Sequence, residues 1–150
     1  MMKCRKALKN DLPDIVRMLA DDTLGSKREK YQDPLPDFYY DAFKEIEHQR
    51  GNQILVATED EQVIGFLQLT FIPGLARMGM KRAQVEGVRV DNKHRGKGIG
   101  RKLFKEAITL AKTEGCGLVQ LTTDKEREDA HRFYENLGFV ASHDGMKLIL

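Results

Sequence analysis

The sequence predicts an α/β protein: a mixed, mostly antiparallel sheet with a parallel pair at its centre and helices on both faces. Three observations carry this reading. Helical and alternating apolar patterns follow one another through all 150 residues without a repeat, a low-complexity tract or a dividing linker. A strand–helix–strand step spans Lys81 to Asp124, and such a step favours parallel neighbours joined by a right-handed crossover. "QILVATED" and "QVIGFLQLTFI" flank a turn at Glu59 to Glu61, and a second turn pair, Asp144-Gly145, lies near the C-terminus; both add antiparallel strands. The length suits one domain, residues 1–150, with a single core.

The elements follow in order. Lys3 to Leu8 reads as a short strand. "NDLPDIVRMLAD" reads as a helix, with Asn10 or Asp11 as its cap, Pro13 in its first turn and a stripe of Ile15, Val16, Met18 and Leu19. Leu24 to Pro36 is a polar loop closed by "DPLP". Phe38, Ala42, Phe43 and Ile46 make the apolar face of a second helix that ends near Gly51. After the hairpin, "PGLARMGM" breaks the pattern, and Lys81 to Asp91 resumes it as a strand. By a period of two, Gln84 and Glu86 share a face with Val88 and Val90. Arg101 to Glu114 is a helix stopped by Gly115, "GLVQLTTD" a strand, and "REDAHRFYENLG" a helix ended by Gly138. "FVASHDGMKLIL" reads as two short strands around Asp144-Gly145.

Composition removes several function classes. Apolar residues make up 41% and charged residues 32%, which suits a folded chain with a well-solvated surface. The net charge of +2 is too small for general nucleic-acid binding, and the positives concentrate between Lys93 and Lys105 without an aromatic stacking platform. Cys4 and Cys116 are too few for a disulfide framework and lack metal-type spacing, so they read as small core residues. His94, His131 and His143 have no metal-ligand spacing either, and no metal is expected. No segment approaches the roughly 18 apolar residues of a membrane span, and the expectation is a soluble, cytoplasmic protein with no membrane partner.

One stretch asks for a chemical explanation. "HRGKGIGRKLF" sets three glycines among basic residues where a helix begins. A helix N-terminus leaves about four N–H groups unpaired and carries roughly half a positive charge. Glycines let the backbone turn with positive φ and let a ligand approach. Together with Arg95, Lys97, Arg101 and Lys102 they make a cradle for a phosphate or diphosphate over Arg95 to Gly100. No Ser or Thr follows a Gly-Lys pair, which excludes a P-loop, and the glycine spacing is wrong for a dinucleotide fingerprint. By itself the run fits a plain capped turn equally well. Its place at the carboxyl end of a strand, where α/β sheets bind ligands, favours the anion site.

Arg95-Gly-Lys-Gly-Ile-Gly100 resembles the Arg/Gln-x-x-Gly-x-Gly/Ala signature of the GNAT superfamily of acyl-CoA N-acyltransferases, and "RFYENLGF" is similar to its aromatic-Tyr-x-x-x-Gly-Phe segment. The resemblance covers nearly the whole chain. It implies acetyl-CoA as co-substrate, its diphosphate on the N–H groups of Arg95, Gly96, Lys97, Gly98, Ile99 and Gly100, and its pantetheine arm against the main chain of Val88 and Val90. It implies a bulge at Gly87 that splays this strand from Leu118–Asp124, leaving a gap for the thioester. An attacking amine must first lose a proton; Glu86 is the candidate base, the alternative being a surface carboxylate paired with Arg89 or Lys81. Gln84 either orients a water or simply meets solvent. Tyr134 is the candidate acid for the departing thiolate, the alternative being a core aromatic. The Asn often found before the last helix is missing from "TTDKERED", where Thr123, Asp129 or neither substitutes.

The resemblance places the acceptor between two variable regions: Leu24 to Tyr40, with Asp33, Asp37, Tyr39 and Tyr40, and Pro73 to Met80, with Arg77. That mixture of charges suits a small zwitterionic amine, such as an amino acid or amino sugar. A protein N-terminus or lysine is the alternative acceptor. A non-catalytic acyl-CoA-binding module is the alternative of another class, and the presence of both Glu86 and Tyr134 argues against it. A homodimer is common among such folds, with the terminal strands near Met146 to Leu150 as its candidate interface.

Overall fold

The computed structural model describes residues 1–150. The sheet grows outward from one hairpin. Its strands, β2 (Asn52–Glu59) and β3 (Gln62–Ile72), are antiparallel and meet at Asp60 and Glu61, which both take positive φ (49° and 66°). A two-residue turn of that kind matches the right-handed twist of the strands it joins. Both strands are buried on both faces, which explains their nearly unbroken apolar runs. β1 (Lys3–Lys6) flanks β2, and β4 (Arg82–Val90) flanks β3, both antiparallel; β5 (Leu118–Leu121) lies parallel to β4. The order is β1-β2-β3-β4-β5.

Helices cover the two faces as the amphipathic stripes require. α1 (Leu12–Ala20), the single turn α2 (Gly25–Arg28) and α3 (Asp37–His48) precede the hairpin, and Leu12, Ile15, Val16, Met18 and Phe43 pack with Ile54, Val56, Val63 and Phe66. The start of α1 differs from the expected cap. Asp11 reaches backward, accepting the N–H of Leu8 at 2.7 Å and two donors of Arg5 at 2.7 and 3.0 Å. A single turn, α4 (Ala76–Gly79), interrupts the link from β3 to β4.

On the other face, α5 (Ile99–Thr113) buries Leu103, Phe104, Ala107 and Ala111 against Leu55, Leu67, Leu69 and Val85. α6 (Glu128–Asn136) follows β5 and leans on the same face through Phe133 and Tyr134. Phe104 has no exposed surface, and the rings of Phe133, Tyr134 and Phe139 stand edge-on to it with centroids 5.9, 5.6 and 5.7 Å away. Such pairs each add about 0.5–1.5 kcal/mol beyond burial. α5 sits close to the sheet because residue 65 is glycine: a Cβ there would lie 3.1 Å from side-chain carbons of Ile99 and Leu103 and 3.2 Å from the Arg89 carbonyl.

The decisive irregularity is in β4. Phe66 lies opposite Arg89 and Gln68 opposite Glu86, so Gly87 and Val88 together face the single residue Leu67. Gly87 has φ 65°, which makes this a bulge at a position glycine suits best. The bulge reverses the alternation. Ala83 and Val85 before it, and Val88 and Val90 after it, pack on the α5 side. Gln84, Glu86 and Arg89 belong to the opposite face, Arg89 beside Phe66. This corrects the expectation that Glu86 and Gln84 share a face with Val88 and Val90; the period of two holds only within each half of the strand. β5 pairs with β4 over Arg82–Val85 alone, so β4 runs on from Glu86 to Val90 with no neighbour on that side.

A second expectation fails at the C-terminus. The two strands around Asp144-Gly145 do not form, and residues 140–150 are exposed. Their one main-chain hydrogen bond joins Ser142 N–H to the Val140 carbonyl at 2.9 Å. Neither Asp144 nor Gly145 has the positive φ that a tight hairpin turn needs, and a hairpin without a neighbouring strand to pair with has little stability of its own. The parallel pair therefore closes one end of the sheet, and the outer edge of β5 carries no strand. No helix is long and apolar enough to cross a membrane.

Candidate active site

The site begins where β4 ends. Asp91 is buried there, and its carboxylate accepts Arg17 Nη1 from α1 at 2.8 Å and sits 2.8 Å from His94 Nδ1. Burial pushes the Asp91 carboxyl up, but the bonds from Arg17 and His94 outweigh it and hold the group below the usual carboxylate range. His94 thus flanks the glycine loop as a brace. No group of three or more His, Cys, Asp or Glu side chains is placed to hold a metal ion.

The loop from Arg95 to Gly98 is exposed, with Gly96 at φ 78° and Gly98 at φ 79°. Gly98 caps α5 in the left-handed conformation, and the first turn closes with Lys102 N–H on the Gly98 carbonyl at 3.1 Å. No main-chain or side-chain acceptor in the chain takes the N–H of Arg95, Gly96, Lys97 or Gly98. Ile99, Gly100 and Arg101 follow as the first helical residues, whose N–H groups have no intrahelical partner by geometry. Gly100 is buried, and a Cβ on it would lie 3.0 Å from Phe133 Cζ and 3.7 Å from Val90 Cγ2. The exposed side chains of Arg95, Lys97, Arg101 and Lys102 ring this row of donors. A diphosphate matches such a row in charge and in hydrogen-bonding sense.

Beside the loop is the unpaired half of β4. Glu86 and Gly87 are exposed, and Val88 and Val90 are half-buried. The Val88 carbonyl accepts Arg89 Nη1 at 2.8 Å and the Val90 carbonyl accepts Arg95 Nε at 3.4 Å, which leaves each carbonyl a second lone pair. Glu86 forms no ion pair: Lys81 Nζ donates to the Glu114 carbonyl at 3.2 Å, and Arg89 turns toward Asp22. Gln84 accepts Gln120 Nε2 at 2.8 Å, tying the short parallel pair together. The Tyr134 ring is held in the aromatic cluster, and its hydroxyl has no hydrogen-bond partner. Burial raises that hydroxyl above the ordinary phenol range of about 10, with Arg89 and Arg127 pulling the other way. It is therefore a protonated donor at neutral pH.

The expected acceptor residues are scattered. Asp33, Asp37 and Arg77 are exposed, and Leu75 and Met78 project fully into solvent from the same loop as Arg77. Tyr39 is occupied: its hydroxyl donates to Glu29 and accepts the Lys30 N–H at 2.9 Å. In the stretch that lacks the Asn, Asp129 is exposed and pairs with Arg132. What sequence reasoning missed is a charge cluster of Asp22, Arg89 and Arg127 beside the split. Its one sequence signal is an arginine between two valines in an otherwise apolar strand end.

The pattern of the acetyltransferase (GNAT) family matches residues 16–139 of the chain. The chain belongs to the GNAT acetyltransferase family. Members of this family take acetyl-CoA as acetyl donor. Among curated relatives, the glucosamine 6-phosphate N-acetyltransferase of Trypanosoma brucei brucei is 33% identical over 59% of this chain and 58% of that protein. The human N-alpha-acetyltransferase 30 is 28% identical over 86% of this chain and 32% of that protein. The chain thus spans less than two thirds of the length of these relatives. Among solved structures, a transcriptional regulator from Bacillus halodurans is 51% identical with a TM-score of 0.97 over the whole of both chains. The glucosamine-6-phosphate N-acetyltransferase of Arabidopsis thaliana shares the fold at a TM-score of 0.78 and 22% identity over 99% of this chain and 98% of that one.

In this GNAT protein the anchor of the glycine loop has a pH signature. The Asp91 pKa is depressed on folding. Its contribution is therefore complete above the unfolded carboxylate value of about 3.9 and fades as pH falls through the lower folded value. Asp91→Asn is expected to cost about 1–3 kcal/mol near neutrality, with the gap from wild type closing below about pH 4 in melts followed by circular dichroism.

Proposed function

We propose that residues 1–150 form an N-acetyltransferase domain that moves an acetyl group from acetyl-CoA to the primary amine of a small molecule by direct attack. The observation that carries this reading is the pairing of a row of unpaired N–H groups with the half-strand left free by the Gly87 bulge. The main-chain N–H groups from Arg95 to Gly100 bind the diphosphate, and the main chain of Val88 and Val90 aligns the pantetheine arm. Acetyl-CoA supplies the acyl group as an activated thioester. Glu86, exposed and free of cationic partners, takes the proton from the incoming ammonium, directly or through water. The N–H near Val88 stabilises charge on the carbonyl oxygen. Tyr134 gives its proton to the departing sulfur. The small-molecule acceptor is supported by the relative named for glucosamine 6-phosphate.

A homodimer belongs to this reading. Val140, Met146, Leu148, Ile149 and Leu150 are each more than four-fifths exposed, and Gly145 lies beside Thr122, the residue that follows β5, whose outer edge is bare. A second copy would cover both.

Acetyl-CoA is expected to raise the melting temperature by several degrees, with NAD and ATP doing so far less; no shift with acetyl-CoA defeats the donor assignment. Tyr134→Phe is expected to lower kcat by about 10²–10⁴ while acetyl-CoA affinity stays within a few-fold, and unchanged turnover removes Tyr134 as the acid. In sedimentation velocity the full chain is expected to run as a dimer and a chain ending at Phe139 as a monomer.

A further inference from the structure

Arg89 has surroundings that do not account for it. It follows the Gly87 bulge on the face of β4 that also carries Glu86, and it turns toward the loop between α1 and α2. Its side chain is only 20% exposed. Nη1 is satisfied by the Val88 carbonyl, but Nε is buried with no hydrogen-bond partner. The nearest carboxylate, Asp22, lies 4.0 Å from Nε. Asp22 is already engaged: it accepts the Gly25 N–H on one oxygen and Arg127 Nη1 on the other. Arg127 stands at the start of α6 and so brings a second guanidinium to the same place.

Burial and the charge of Arg127 both weigh against a charged Arg89, while Asp22, Tyr134 and Glu29 pull the other way. The other carboxylates nearby are in use. Glu29 accepts the Tyr39 hydroxyl, Asp91 holds Arg17 and His94, and Asp124 pairs with Arg28. Two cations therefore converge on one carboxylate with a buried donor left over. An unpaired buried donor costs about 1–3 kcal/mol. The planar fork of a guanidinium matches a phosphate or carboxylate. The pair is separate from the diphosphate cradle: Val90 turns to the α5 side, next to Gly100, and Arg89 turns to the opposite face. It is near the proposed chemistry, because Arg89 directly follows Val88 on β4 and Arg127 opens the helix that carries Tyr134.

We propose that Arg89 and Arg127, braced by Asp22, bind an anionic group of the acceptor, so that the substrates are amines carrying a phosphate or carboxylate close to the reacting nitrogen. The proposal rests on the acetyl-transfer reading above and deepens it. The anionic end anchors on the guanidinium pair, and the ammonium end lies toward Glu86 on the same face of β4. This replaces exposed Arg77 with a half-buried pair as the source of selectivity.

The test measures CoA release with matched acceptors: glucosamine 6-phosphate against glucosamine, and an amino acid against its amide. At least one anionic member is expected to exceed its neutral partner about tenfold or more in kcat/KM. Arg89→Gln and Arg127→Gln should each bring that ratio toward one, and Arg89→Lys should keep part of it. A retained acetyl-CoA thermal shift identifies variants that are folded. Neutral acceptors equal to or better than their anionic partners in both pairs overturn the proposal, as does a preference that survives both Gln variants. If neither variant folds, inorganic phosphate added to the wild type decides: it should compete with the anionic amine and not with acetyl-CoA, and failure to compete overturns the site. If no amine releases CoA, the acetyl-transfer reading fails, and calorimetry judges the site alone. Glucosamine 6-phosphate binding more tightly than glucosamine upholds it, and equal or absent binding overturns it.

Discussion

One extra residue in β4 governs the rest of the molecule. With Gly87 and Val88 sharing a single partner, the strand turns over midway, and its second half leaves β5 behind. The freed half-strand leaves its outer side without a strand partner, its valines turn toward α5, and Arg89 turns toward the α1–α2 loop. Regular pairing would have buried that side in a continuous ladder. The cost falls on the short β4–β5 ladder, which Gln84 and Gln120 tie by a side-chain bond.

Charge then fixes where the helices sit around this split. Asp91 ties α1 to the exit of β4 through Arg17 and holds His94 at the entrance of the glycine loop. Asp22 ties the α1–α2 loop to the start of α6. Both carboxylates are held below the usual carboxylate range against burial, Asp22 by the Gly25 N–H and Arg127, and Asp91 by Arg17 and His94. Ion pairs thus position the elements that join α1 to β4 and to α6, while apolar packing around Phe104 positions α5 and α6 on the sheet. The apolar part is insensitive to pH, and the ionic part responds to it.

Most of the architecture was legible because each element repeats one local rule. The stripe of α1, the two-sided apolar hairpin, the glycine stop after α5 and the amphipathic α6 all read directly. The glycine loop was legible as an exposed turn ringed by basic side chains ahead of a helix, because glycine spacing and charge act locally. The rest depended on long-range events. A period of two cannot register its own reversal, so Glu86 was assigned to the face of Val88 and Val90. The tail alternates as a strand would, but a strand exists only where a neighbour accepts its hydrogen bonds. Arg89, Asp22 and Arg127 come from three separate parts of the chain, and nothing in their local sequence brings them together.

Gly65 gives this arrangement a fixed gauge. With no side chain at that point, Ile99 and Leu103 of the helix that begins at the glycine loop rest almost on the backbone of the sheet. The vertical offset between the glycine loop and the free half of β4 is thus set by main-chain thickness. Side chains elsewhere can drift in size and chemistry, as an enzyme takes on new partners, while the spacing between the loop and the strand stays the same.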